Sequence, residues 1–377
     1  MPKSFKNTIA FFKFIVYNIF SVKYNLRKGD KNVTLKDIAE KAGVSMMTVS
    51  NVINGKHSRV SAATIEKVNS IIKEYNYVPN LSARSLTVKS SHIIGVIVPL
   101  DDREDNGTSV SYFDNPYVSS MIGVIERELR DNGYFVMIRA VRSQDDLSIL
   151  MRNWNVDGAI FLYPRLGEHF EDSINAIIKE THLPVVLFDA RTDNPEVINV
   201  CSDDRKGCYL STRYLINRGH KKIAFVADYK GNTILTDRFE GYRAAMEESG
   251  LGCDPDCIFS YSPSYEEGIA AGKAIAASAL KITGLVTTAD ICAIGIMEGA
   301  RLGGLRIPTD LSVIGYDNLA VSTYTTPKLT TISQNVIKKA ETAMELLLEK
   351  LRTGHVEQPH VQLDVELVER QSTLSLL

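Results

Sequence analysis

Residues 34–55, TLKDIAEKAGVSMMTVSNVING, decide how this chain is to be read. Thr34 stands where a helix N-cap belongs, and Asp37, three residues on, can return its carboxylate to the cap, the reciprocal arrangement of a capping box. Ile38 and Ala42 then fall on one helical face, and Gly43 tolerates the left-handed turn at a helix end. Ser45 caps a second helix predicted over 46–53, whose Val49, Val52 and Ile53 turn back toward the first while Met46, Met47, Ser50 and Asn51 face outward. Two short helices around the turn Gly43-Val44-Ser45 make a helix-turn-helix. A third predicted helix opens at Ser61, carries Ile65, Val68 and Ile72 inward, and stops before Pro79. The three can share a small core of about 45 residues.

The whole chain has 377 residues, 44% hydrophobic, 23% charged and 8% aromatic, which excludes a disordered or collagen-like protein and leaves room for two or three domains. Its net charge of −2 speaks against a nucleic-acid partner only if the charge is evenly spread, and it is not. Residues 1–32 carry +6, residues 33–90 carry +4 and residues 91–377 carry −12. A basic head on an acidic body points to an anionic partner for the head. The five cysteines are odd in number and scattered, and Cys253 and Cys257 have no histidines beside them, so the expectation is reduced thiols, no metal and no cofactor. The apolar stretch from Thr8 to Val22 is 15 residues long and contains Lys13, too short and too polar for a membrane span, and no signal-cleavage pattern follows it. Residues 1–32 are therefore expected to be an N-terminal extension outside a folded unit that begins at Val33, either disordered or introduced by an upstream start codon.

The helix-turn-helix, followed by SAATIEKVNSIIKEYNYVPN (61–80) and LSARSL (81–86), resembles the head of the lactose-repressor (LacI/GalR) family of bacterial transcription regulators. The resemblance implies a DNA-binding domain over 33–80 and a hinge helix over 81–90 that forms on DNA. Met46, Met47 and Asn51 would enter the major groove, Ser45, Thr48 and Ser50 would contact phosphates, and Ala83, Arg84 and the wedge Leu86 would lie in the minor groove. Many relatives carry arginine where this chain has Asn51, and asparagine favours adenine where arginine favours guanine.

Beyond Ser90 the runs HIIGVIV, YFVMIRA, GAIFLY, PVVLFD, KIAFVAD, GLVTT and SVIGYD alternate with amphipathic stretches, the βα repeat of a parallel sheet covered on both faces. The fold class is thus an all-α head and hinge, then a two-lobed, doubly wound α/β body resembling periplasmic sugar-binding proteins. The effector-binding and dimerisation domain is expected over 91–377, with lobe 1 about 91–192 and 335–361 and lobe 2 about 193–334 and 362–377. Crossings are expected near 188–200, 332–335 and Leu363. Asp317 at a strand end and Arg238 at a helix start match the family's effector-binding pair, joined by Asp290 and by Phe113, Tyr117 or Tyr163 as rings to stack on a sugar. Ala289 stands where relatives place asparagine, and the loop 101–115 is longer than usual. His220 matches a structural histidine before a strand.

Three functions compete. The first is a cytoplasmic, homodimeric repressor of carbohydrate genes, bound to a pseudo-palindromic operator and controlled by a mono- or oligosaccharide effector. The second is an exported or membrane-anchored sugar-binding protein, against which the intact helix-turn-helix argues. The third is an enzyme, for which no P-loop, nucleophile elbow or H-E-x-x-H is present. The expectation is the first, with no catalysis and no membrane partner, and dimers only because the tail after Val368 is too short for a heptad segment.

Overall fold

The computed structural model describes residues 33–53, 55–75, 77, 90–99, 113, 115–141, 143–162 and 170–377. The extension 1–32, the hinge residues Ala83, Arg84 and Leu86, Tyr163 and nearly all of the 101–115 loop lie outside the described residues. The chain divides into two compact units between Lys89 and Ser90.

The first unit contains α1 (Leu35–Ala42), α2 (Met46–Ile53) and α3 (Ala62–Glu74). Thr34 and Asp37 close the capping box: Asp37 Oδ2 accepts from the Thr34 backbone N–H at 2.8 Å, and Thr34 Oγ1 accepts from the Asp37 N–H at 3.3 Å. Gly43 takes φ 68° at the end of α1. Ser45 Oγ accepts from the Thr48 N–H at 3.1 Å and starts α2, and Ser61 Oγ does the same for α3 from Thr64 at 3.3 Å. Ile38, Ala39, Ala42, Val49, Val52, Val68 and Ile71 form the core, as the helical phase of each segment requires.

The second unit is built on two six-stranded sheets. The first contains β1 (Ile93–Pro99), β2 (Phe135–Val141), β3 (Gly158–Phe161), β4 (Val185–Phe188), β5 (Val197–Ser202) and β11 (His360–Leu363), in the order β11-β5-β4-β3-β1-β2. The second contains β6 (Ile223–Val226), β7 (Ile258–Phe259), β8 (Gly284–Thr287), β9 (Ser312–Asp317), β10 (Thr330–Ser333) and β12 (Glu366–Val368), in the order β12-β10-β9-β8-β6-β7. All described pairings are parallel except β10 with β12. Most of these parallel strands are joined by crossover helices, which cover both faces and explain the continuous apolar runs.

On the first sheet, α4 (Pro116–Asp131) and α11 (Val336–Thr353) press Met121, Ile125, Met344 and Leu347 onto Ile94, Val96 and Ile160. On its other face, α5 (Gln144–Asn153) and α6 (Phe170–Thr181) bring Leu147 and Ile174 against Ile97 and Phe161. On the second sheet, α7 (Asp204–Asn217) and α8 (Thr233–Glu248) cover one face with Cys208, Leu215 and Tyr242. The other face takes α9 (Tyr265–Ala277) and α10 (Asp290–Leu302), with Ala271, Ile275, Ala293 and Ile296. Here Gly272 lets backbone meet backbone, since a Cβ there would overlap the Ile296 carbonyl oxygen.

The chain crosses between the sheets after Ser202, between Ser333 and Val336, and after Leu363. The second and third crossings fall where expected, and the first does not. Residues 188–200 do not leave the first lobe: β5 pairs with β4 (Val185 beside Val197) and with β11 (Asn199 beside His360), so the lobe boundary lies after Ser202, not at 192. The turn at 189–196 joins neighbouring strands, and Asn199 in the middle of β5 is satisfied by donating to the Ala190 carbonyl at 2.8 Å. His220 is structural: Leu374 O can only accept, so Nε2–H donates to it at 3.0 Å and Nδ1 accepts from Thr283 Oγ1 at 3.0 Å, tying the C-terminal tail to the second lobe.

Candidate functional site

In the first unit α2 presents Met46 and Met47, 52% and 70% exposed, side by side in its first turn, with Asn51 half-buried one turn on. Val49 and Val52 are buried beneath them, so the reading face expected from the sequence is the face turned away from the core. Ser45 and Thr48 are committed to each other through their hydroxyls at 2.9 Å, which fixes the start of the helix.

In the second unit the ends of four strands, two from each sheet, converge on one buried polar cluster. Asp189 follows β4 with φ 54°, a left-handed conformation. Its Oδ1 accepts from the Lys339 ammonium at 2.7 Å and from the Ser202 N–H at 3.1 Å, and its Oδ2 accepts from Lys339 at 2.9 Å and from the Tyr117 hydroxyl at 3.3 Å. Lys339, on α11, is completely buried and donates also to Gln334 Oε1 at 2.6 Å. Gln334 sits on the second crossing and passes its amide N–H to Asp317 Oδ1 at 2.5 Å. An unbroken chain of hydrogen bonds thus runs from the first lobe through the crossing to the second. At the rim, Arg191 of the first lobe pairs with Asp237 of α8 in the second.

Arg238 lies beside this chain. Its Nε donates to Asp204 Oδ1 at 2.7 Å, its NH1 donates to the Thr288 carbonyl at 2.5 Å, and its guanidinium covers the Tyr316 ring at 3.7 Å. Among the described residues, the Tyr316 hydroxyl and Thr288 Oγ1 are buried without hydrogen-bond partners. A Cβ on Gly207 would overlap that hydroxyl. Burial pushes the Asp317 carboxyl up to about 6, opposed by the charge of Arg238 and the Gln334 amide.

The structure therefore gathers Arg238, Asp317 and Tyr117, three of the residues expected to meet an effector, at the lobe junction. Asp290 lies beside Asp317, whose carboxylate its backbone N–H helps to hold, but its own side chain is fully buried: its Oδ2 accepts from the Leu319 N–H at 2.8 Å and its Oδ1 from Thr331 Oγ1 at 2.5 Å, so it braces the loop after β9 against β10. Phe113 stands 53% exposed just before α4. Asp189, Asp204, Gln334 and Lys339 were not foreseen. Asp189 carried the signal that found Asp317, an apolar run ending in aspartate. Lys339 was legible only through helical phase, since it shares the face of Val336, Ala340, Ala343 and Leu347. Among the described residues no three His, Cys, Asp or Glu side chains gather as a metal site would need, and no helix is long and apolar enough to cross a membrane.

Residues 34–80 match the family described as bacterial regulatory proteins, lacI family, and residues 212–373 match a periplasmic binding protein-like domain. The HTH-type transcriptional repressor PurR of Pasteurella multocida is 33% identical over 349 residues, 91% of this chain and 99% of the relative. The chain belongs to the lacI family. A solved Lac repressor dimer bound to operator and the anti-inducer ONPF is 28% identical to this lacI-family chain, with TM-score 0.78 over 91% of it and 100% of that chain. A CelR transcriptional regulator in complex with cellobiose is 26% identical, with TM-score 0.65 over 90% of this chain and 99% of that one. This lacI-family protein is a DNA-binding transcription repressor. Its relatives are repressors and not enzymes, and the match of the head removes the alternative of a periplasmic-type sugar-binding protein without a DNA target.

Proposed function

We propose that the protein is a cytoplasmic homodimer that binds a pseudo-palindromic operator through two copies of α2 and releases or tightens it in response to an uncharged, donor-rich effector held between the lobes, most simply a mono- or oligosaccharide. The exposed pair Met46 and Met47 beside Asn51 supports a major-groove reading that relies on contact with thymine methyls and on one asparagine-to-adenine pair. Ser45, Thr48 and Ser50 would hold the phosphates, and Ala83, Arg84 and Leu86 would occupy the minor groove. One short helix reads too little sequence, which is why two heads on a two-fold axis are required.

The observation that carries the effector class is the charge balance of the cluster. Both buried cations are already paired, Lys339 with Asp189 and Arg238 with Asp204. Asp317 remains as a carboxylate with no cation paired directly to it, offset by the Gln334 amide, the Asp290 backbone N–H and the more distant charges of Arg238 and Lys339. Hydroxyl groups donating to Asp317 suit this floor, whereas a phosphate would face surplus negative charge among the described residues. Tyr117 supplies a ring at the same place. The cellobiose held by the CelR relative is of this class. A purine base is the competing class, since it also brings uncharged donors and a stacking face. A thermal-shift screen of sugars, their phosphorylated counterparts and purines on the full-length protein, followed by an operator-binding assay with each hit, tests the reading. Stabilisation by a neutral sugar that alters operator affinity supports it. Stabilisation by purines alone, or by sugar phosphates in preference to sugars, overturns it.

A further inference from the structure

Of the nine methionines in the chain, eight are described, and their environments differ sharply. Met121, Met151, Met246, Met297 and Met344 are buried in the lobe cores. Met137 is partly exposed, but its Sδ accepts the Trp154 indole N–H at 2.8 Å, which draws on a sulfur lone pair. Met46 and Met47 are the two most exposed methionines among those described, and they are adjacent in the first turn of the helix that is proposed to read base edges. A thioether in that position is apolar and flexible; a sulfoxide is polar, chiral and a strong acceptor.

We propose that Met46 and Met47 are an oxidation-sensitive modification site through which hydrogen peroxide or hypochlorous acid releases the repressor from its operator. With peroxide, a sulfur lone pair attacks one oxygen, the O–O bond breaks and an S–O bond forms. The sulfur loses two electrons and the peroxide leaves as water, its second oxygen taking up the proton shed by the first. The two new oxygens replace methyl-to-thioether contacts with groups that need hydrogen-bond donors, which a thymine methyl does not supply, and they add acceptors against the acceptor-rich purine edge. The core of the head is unaffected because Val49 and Val52, not the methionines, pack it. The change is reversible, since the two thiol-dependent methionine sulfoxide reductases, one for each sulfoxide epimer, together remove both oxygens. The inference rests on the proposed groove-facing role of α2.

The test uses the full-length protein and an operator recovered with it from a randomised DNA library, so that failure to enrich any site marks failure of the DNA reading itself. Peroxide treatment is followed by peptide mass spectrometry and by operator titration. One added oxygen on each of Met46 and Met47, ahead of the six other described methionines, is expected together with a loss of operator affinity of roughly tenfold or more, the range of a lost base contact. The circular-dichroism melt is expected to stay in place, and treatment with both epimer-specific reductases should return the affinity. A Met137→Leu variant should remain sensitive to peroxide, and whatever affinity a Met46→Leu, Met47→Leu variant retains should not respond to it. Full oxidation of both residues without loss of affinity would overturn the proposal. So would a loss that the two reductases do not reverse, or earlier oxidation of Met137.

Discussion

At the scale of single residues the cluster between the lobes is governed by Lys339 and Asp317. Lys339 has no exposed surface and its charge is balanced by Asp189, itself nearly buried. Removing one member of such a pair strands the other charge away from water. Lys339→Met is expected to destabilise the protein by about 3–5 kcal/mol in chemical denaturation, while the double variant with Asp189→Asn should recover much of that loss. Asp317 sets a pH dependence. Its folded carboxyl titrates at about 6, above the usual carboxylate value near ~4. Between those values the native state holds a proton that the unfolded chain has lost, so this residue makes stability fall as pH rises through the window. On the proposed reading effector binding should move the other way, because hydroxyl donors need the carboxylate: calorimetric affinity for the proposed sugar effector should weaken by up to roughly tenfold per pH unit below about 6. Asp317 was legible as an acid closing an apolar run. Lys339 was not, because Lys338 beside it is half-exposed and composition alone makes any helical lysine look solvated. Asp290 misled for a related reason: a strand-end aspartate can brace its own loop as readily as meet a ligand.

At the scale of elements the head was the most legible part, since caps are local. Thr34 with Asp37, Gly43, Ser45 and Ser61 each act within a few residues of themselves. Thr34→Ala should cost about 1 kcal/mol of stability in thermal melts of the full chain, with the loss confined to the transition of the head. The body was legible where strands are apolar runs and illegible at β5 and β10. These carry Asn199, Thr330 and Thr331, which are buried polar residues satisfied by partners outside their own strands: Asn199 by the Ala190 backbone and Thr331 by Asp290. That is why the first crossing was placed a strand too early. The contact of α9 with α10 gives a further test. Gly272→Val forces side-chain atoms into the Ile296 backbone and should destabilise by about 1–3 kcal/mol, measured by urea unfolding.

At the scale of the whole molecule the charge that first argued against a nucleic-acid partner is an average of opposites. Residues 33–90 carry +4 and residues 91–377 carry −12, so general attraction to DNA is weak, and on the proposed reading discrimination falls to a few side chains of α2. On the proposed reading, two copies of this face bind one symmetric site. Selection of binding sites from a randomised duplex library by the full-length protein, compared with Asn51→Arg, tests it most directly. The account predicts enrichment of a two-fold symmetric sequence whose preference changes from adenine toward guanine at one position in each half-site of the variant. Enrichment of an asymmetric site, or identical half-sites for both proteins, would contradict it.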